Sequence, residues 1–309
     1  MEEADMKKLL NKRKISEKTM RIVYYLLLIC VSFVFLEPIF RIISKTFMTP
    51  EDVIDPVVNW VPRKLSLNNL KVAVKVLNLK KTLVSSILFS GALAIAETFC
   101  AALTGFALSR YQFSGKKFWY IMILLCFIVP VTVLMVPRLM MFVTVQEAMK
   151  YTLIGTPIPQ LIMAILGQGV NSTILILIFQ NFFNLIPKSL DEAAMIDGAG
   201  PFRVFIHIGL KLSISTVLVV FLFAFVWNWN ETYITGTLLR GNLQLLPAKL
   251  DMFNSEFESA ASAVGGAFRL NEAYKMSATL ISISPLVLLY VFVQRKFIQG
   301  IENTGITGE

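Results

Sequence analysis

Six stretches of this chain are apolar for long enough to cross a lipid bilayer, and no other feature restricts its fold so strongly. They run from about Ile22 to Phe40, Leu83 to Leu108, Phe118 to Met141, Pro157 to Phe183, Leu212 to Ile234 and Met276 to Ile298. A helix that crosses about 30 Å of hydrocarbon needs roughly 20 consecutive, mostly apolar residues. Because the bilayer core holds no water, each backbone N–H and C=O in such a segment must be bonded internally, which favours helices. Composition agrees: 56% of the 309 residues are hydrophobic and 16% charged, too few charges to cover a water-soluble globule. The expected fold class is all-α, a polytopic membrane protein with six transmembrane helices. One membrane domain, residues 22–298, lies between an N-terminal tail at 1–21 and a C-terminal tail at 299–309.

Six spans put both termini on one side. Lys7, Lys8, Lys12, Arg13, Lys14, Lys18 and Arg21 precede the first span, and the positive-inside tendency then assigns both tails to the cytoplasm. The first outside loop runs against that bias, with Arg63, Lys64, Lys71, Lys75, Lys80 and Lys81. The first run is too long for a secretory leader, contains Glu37-Pro38 and lacks a small-residue cleavage pattern, so it reads as an uncleaved span. The net charge of +9 fits membrane topology and anionic headgroups. The basic residues form no aromatic-interleaved patch, and nucleic acid is not an expected partner.

Cys30, Cys100 and Cys126 fall inside expected spans and His207 is the only histidine, which leaves neither a disulfide framework nor a metal cluster to assemble. The chain holds no G-x-x-x-x-G-K-[ST] segment for cradling nucleotide phosphates. A histidine-based membrane enzyme and a Walker-type ATPase are both excluded on these grounds.

The polar segment 186–211 is expected inside, and the polar segment 235–275 outside. Within the first, Ser189 and Glu192 have the S-x-x-E spacing of a capping box at the start of a short helix, Leu190 to Ile196, stopped near Gly198. Gly200-Pro201 permits a turn into a second helix near Phe202. Such an amphipathic helix serves either as a docking peg for another protein or as an interfacial helix on lipid headgroups.

Glu192-Ala193-Ala194 followed by Asp197-Gly198-Ala199 resembles the EAA loop of permeases in binding-protein-dependent ABC importers. Further stretches resemble the carbohydrate branch of that family, the maltose-type second permease in particular: Phe106 to Lys116, Pro130 to Pro137, Phe182 to Pro187, Trp229-Asn230-Glu231 and Gln294 to Gly300. Where the family usually has Leu-Pro, this chain has Leu210-Lys211. The resemblance implies the type I ABC importer permease architecture in a bacterial cytoplasmic membrane. It also implies an ATPase-coupling set of Ser189, Asp191, Glu192, Ala193, Ala194, Asp197 and Gly198. Glu192 would pair with a basic residue of the ATPase, and Asp197 would brace the loop from within. The implied partners are a homologous second permease, two cytoplasmic ATPase subunits, an extracytoplasmic sugar-binding protein, membrane lipid, and a sugar or oligosaccharide. No cofactor is expected on this chain, since ATP and Mg would be bound by the ATPase.

Ionisable groups in hydrocarbon are costly and therefore informative. Glu97, deep in the second run among alanines, would face a partner helix or a water-lined pathway. The fifth run ends in Trp227, Asn228, Trp229, Asn230, Glu231 and Tyr233, aromatic faces mixed with amide and carboxylate groups. Such a mixture suits a sugar, which stacks its C–H faces and hydrogen-bonds its hydroxyls. It equally suits an aromatic belt at the membrane interface, and Glu231, like Glu37, also reads as an interfacial or capping group. Gly167-Gln168-Gly169 and Asn171-Ser172-Thr173 in the fourth run read as helix-packing residues. Outside, Ser259, Ala260, Ala261, Ser262, Gly265 and Gly266 form a small uncharged stretch, either a plain loop or, by the resemblance, one that reaches into the binding protein. The alternative function is an ion-coupled secondary transporter, with Glu97 or Glu231 as the coupling carboxylate.

Overall fold

The computed structural model describes residues 2–263 and 272–303, with side chains over 18–259 and 272–294. All regular structure among them is helical. In chain order the helices are α1 (Glu2–Thr46), α2 (Pro50–Ile54), α3 (Asn68–Val76), α4 (Leu79–Arg110), α5 (Lys116–Ile128), α6 (Val131–Met149), α7 (Ile158–Ile165), α8 (Ser172–Leu185), α9 (Lys188–Ile196) and α10 (Pro201–Val204). A π-helical turn, Phe205–Gly209, leads to α11 (Leu210–Leu212), α12 (Ile214–Asn230), α13 (Tyr233–Leu239), α14 (Leu246–Asp251), α15 (Phe253–Ala263) and α16 (Glu272–Asn303).

Two compact units divide these elements: one takes α1, α2, most of α3 and the start of α16, and the other takes α4 to α15 with the rest of α16. In the first unit the loop after α1 is held by buried polar groups. Asn69 Nδ2 donates to the carbonyls of Thr46 and Met48 at 3.1 and 2.7 Å, and buried Asp52 accepts from the Arg63 amide at 3.1 Å.

In the second unit α4 is the central post, packed by α7, α8 and α12. Its sequence explains why. Ala94, Ala101, Ala102 and Gly105 present so little side chain that neighbouring backbones come close. A Cβ on Gly105 would lie 2.7 Å from Phe179 Cβ and 2.9 Å from the Gln180 amide, so α8 crosses α4 there only because that carbon is missing. Below this crossing Phe106 meets Phe183 edge-on at 5.2 Å and Phe205 at 5.3 Å, an arrangement that favours ring quadrupoles as well as burial.

Among the described residues four helices are long and apolar enough to cross a membrane, and six segments are if each of two sharply bent pairs counts as one span. The expected six spans are compatible with this, but three of the six runs are interrupted. The third breaks between α5 and α6, where Pro130 supplies no amide and Val129 is driven to extended backbone. The fourth breaks over residues 166–171, with Gly167 at φ +72° and Asn171 at φ 53°. The fifth bends by 84° at Ser213, just past the π turn and the Leu210-Lys211 pair.

The capping box does not form. Pro187, its φ of −57° already helical, occupies the N-cap position, so α9 begins at Lys188 and Ser189 lies inside the first turn, with no side-chain cap bond made.

Candidate functional site

α9 has two unlike sides. Ser189, Glu192, Ala193, Met195, Ile196 and Asp197 are exposed, and Ala194 is half-buried. Gly198 ends the helix at φ +84°, with its own amide bonded to the Met195 carbonyl at 3.1 Å and that of Ala199 to Ala194 at 2.9 Å. These are the two bonds of a Schellman turn, which needs the left-handed backbone glycine adopts freely. Asp197 stands on the exposed surface just before it, instead of bracing the loop from within.

Asp191 points the other way. Its residue is 6% exposed, and its Oδ2 lies 2.8 Å from Nε of Arg110, the last residue of α4. Arg110 Nη1 also donates to the Ile186 carbonyl at 2.9 Å, and the adjacent Ser109 Oγ donates to Asn184 Oδ1 at 2.7 Å. The foot of α4 therefore grips the segment that leads into α9. Burial pushes the Asp191 carboxyl above its ordinary value; the Arg110 guanidinium pulls it down and Glu192 pushes it up again. Since desolvation outweighs the attraction, this pair sets position more than it adds stability. Of the seven residues expected to couple, Asp191 alone turns into the chain. Its partner Arg110 escaped the sequence reading, because at the end of a span an arginine reads as a topology signal.

The polar groups expected to share a pathway are dispersed. Glu97 is 2% exposed, and the hollow it borders, about 10 Å³, has no room for a sugar. Its Oε1 accepts from the Val170 amide and its Oε2 from Asn228 Nδ2, both at 3.0 Å, while Asn228 also donates to the Ala224 carbonyl at 2.9 Å. The carboxylate thus clamps the break between α7 and α8 to both α4 and α12. A Cβ on Gly169 would overlap it, which accounts for the glycine. Trp229 is buried against Phe225, and Trp227 stacks half-buried on Phe223 at 5.4 Å. Asn230 and Tyr233 are exposed, with Asn230 Nδ2 turned back to the Val226 carbonyl. Glu231 Oε1 accepts from the Ile234 amide at 2.7 Å, so it caps the start of α13.

A polar hollow of about 190 Å³ lies instead where the third and fourth runs are interrupted. Pro130, Val131, Arg138, Gln168, Asn171, Ser172 and Thr173 are among the residues that line it. Arg138 Nη2 donates to Gln168 Oε1 at 3.0 Å, and Thr173 Oγ1 to the Ile123 carbonyl at 3.3 Å. The packing expected of this segment is met by Gly167, on which a Cβ would come within 3.3 Å of Cys100 Sγ on α4, and by buried Thr173, whose hydroxyl bonds the Ile123 carbonyl of α5. Gln168, Asn171, Ser172 and Thr173 line the hollow. Pro130 and the Gly-Gln-Gly run were visible in the sequence, but nothing in it brings them to one place.

Residues 259–262 belong to helix α15 and not to a loop, and Ser259 Oγ donates to the Ser255 carbonyl at 2.8 Å. Gly265 and Gly266 lie outside the described residues. Among the described residues no group of three or more His, Cys, Asp or Glu side chains is placed to hold a metal ion.

Residues 98–303 match the family described as binding-protein-dependent transport system inner membrane component. Over 303 residues the chain is 26% identical to the sn-glycerol-3-phosphate transport system permease protein UgpE of Brucella abortus, covering 96% of this chain and 99% of that one. It is 23% identical over 224 residues to the arabinooligosaccharides transport system permease protein AraQ of Halalkalibacterium halodurans, with coverages of 72% and 73%. To the probable starch degradation products transport system permease protein AmyC of Thermoanaerobacterium thermosulfurigenes it is 24% identical over 275 residues, with coverages of 88% and 92%. A chain in the crystal structure of a bacterial ABC transporter involved in the import of the acidic polysaccharide alginate has the same fold. The TM-score is 0.73 at 19% identity, covering 91% of this chain and 98% of that one.

Proposed function

From the premise that this chain belongs to the binding-protein-dependent transport system inner membrane components, we propose that it forms half of the translocation pathway of an ABC importer for a sugar or oligosaccharide. Members of this family are multi-pass, non-catalytic permease subunits driven by ATP that a partner subunit hydrolyses. The saccharide class follows the relatives named for arabinooligosaccharides and starch degradation products. The assembly contains a homologous second permease, two cytoplasmic ATPase subunits that hold the ATP and Mg, and an extracytoplasmic binding protein. The tails at 1–21 and 299–309 are cytoplasmic, as is segment 186–211, while 235–275 faces the binding protein.

The observation that carries this reading is the two-sided α9. Its outer side offers Glu192 with the small Ala193, where an ATPase surface can come close and a basic residue can pair with the carboxylate. Its inner side is tied through Asp191 and Arg110 to α4. A push on α9 is then delivered to the foot of α4, the post that carries Glu97 and, through it, the break between α7 and α8. Nothing favours the ion-coupled alternative: Glu97 is held by two donors, and Glu231 caps a helix.

The test is ATPase activity of the chain reconstituted with its co-purifying partners, with and without binding protein and saccharide. Saccharide-stimulated hydrolysis that is lost in Glu192→Ala supports the assignment. Transport that persists with no ATPase subunit present would overturn it.

A further inference from the structure

The hollow at the two interrupted runs has a charge character that a neutral sugar does not call for. α6 starts at Val131 and α8 at Ser172, and both starting turns line it. Neither helix has a side-chain cap. The aligned peptide dipoles leave partial positive charge at that end, while the amides of Val133, Ser172 and Ile174 already bond to the carbonyls of Pro130, Gly169 and Asn171. These helices are 19 and 14 residues long.

Arg138, half-buried, adds a full positive charge to the same hollow, and among the described residues no carboxylate lies within ion-pairing distance of it. Its guanidinium donates to the neutral Gln168. Ser172 supplies a third, independent sign: the residue is 5% exposed, lines the hollow, and its Oγ is buried without a hydrogen-bond partner. A buried hydroxyl left unmatched is costly, and a bound acceptor recovers that cost. Glu97, the acidic group nearest this segment, does not line the hollow and is occupied by the Val170 amide and Asn228.

We propose that this hollow is an oxyanion site, built from the starts of α6 and α8, Arg138 and the Ser172 hydroxyl, and that the transported molecule is a saccharide bearing a carboxylate or a phosphate. Broken membrane helices that aim their starting ends at an anion are a recurring solution to this chemistry. The hydroxyls of such a molecule find partners in Gln168, Asn171 and Thr173. The inference rests on the importer reading above and adds the charge of the cargo.

The experiment uses the full complex purified with its partners, without binding protein, and measures binding of a uronic-acid disaccharide, its methyl ester and a hexose phosphate by calorimetry. The acid or the phosphate binds at least ten-fold more tightly than the ester, and which of the two wins identifies the oxyanion. Arg138→Gln brings the acid-to-ester ratio close to one, Arg138→Lys restores part of it, and Ser172→Ala lowers acid binding about three-fold. Because the acid-to-ester ratio is internal to each preparation, partial misfolding does not mimic the result. Equal binding of acid, phosphate and ester, or a ratio indifferent to Arg138→Gln and Ser172→Ala, would overturn the proposal. So would an Arg138 effect that appears only in vesicles of anionic lipid, which assigns the site to a headgroup. Stimulation of ATP hydrolysis by neutral saccharides alone removes the anion site and leaves the importer standing, whereas no stimulation by any saccharide removes both.

Discussion

The two ends of the polar ladder along α4 solve one problem in opposite ways. At the foot Arg110 meets the buried carboxylate of Asp191, charge against charge. Deeper in the helix the carboxylate of Glu97 meets only the neutral donors Val170 N–H and Asn228. Each joins α4 to a place where the chain is not a continuous helix: α9 at the foot, the break between α7 and α8 above. Hydrocarbon penalises loose backbone polar groups, and at the break between α7 and α8 the Glu97 carboxylate takes up the Val170 amide. At the foot a full charge pair gives a rigid tie.

That contrast can be tested from its larger effect to its smaller. Arg110→Ala leaves Asp191 buried without a counter-charge, a change worth about 3–5 kcal/mol. Thermal unfolding of the complex in detergent should show the loss, and Arg110→Lys should recover part of it. Glu97→Leu leaves the Val170 amide and one Asn228 donor unmatched, at about 1–3 kcal/mol for each group. Glu97→Gln keeps one acceptor and should cost roughly half as much in the same unfolding measurement. If Glu97→Leu proved as stable as the parent, the clamp across the break would be wrong. Glu192→Ala touches nothing buried in this chain and should change unfolding by less than about 0.5 kcal/mol. Its effect belongs to docking, where removing one partner of a desolvated pair costs about 2–5 kcal/mol, read as lost co-purification of the ATPase. Ser189→Ala is the smallest: a true N-cap serine would contribute about 1 kcal/mol, but a residue inside the first turn should fall within about 0.5 kcal/mol of zero.

Much of this molecule was legible in advance. Apolar length and the scarcity of charge suffice for a helical membrane protein, because the bilayer penalises every alternative. The exposed side of α9 was also legible, since Glu192, Ala193 and Ala194 are consecutive and their spacing is local. Ser189 shows how local signals compete: its S-x-x-E spacing was sound, but Pro187 two residues earlier starts the helix first. The Trp227 to Tyr233 cluster shows another limit. Residues adjacent on a helix point in different directions, so Trp229 is buried, Asn228 serves Glu97 and Glu231 caps α13.

By itself the sequence determined that the chain is built of membrane-spanning helices, where most of them lie, and that a short amphipathic helix stands between the fourth and fifth runs. Hydropathy and backbone chemistry act over a few turns of chain, and a single sequence displays them directly. The tertiary structure alone decided that Arg110 meets Asp191 across the fold, that Glu97 binds Val170, and that Pro130, Arg138 and Ser172 border one hollow. Those encounters depend on how α4, α6 and α8 cross, and the crossing depends on volumes as small as the missing Cβ of Gly105.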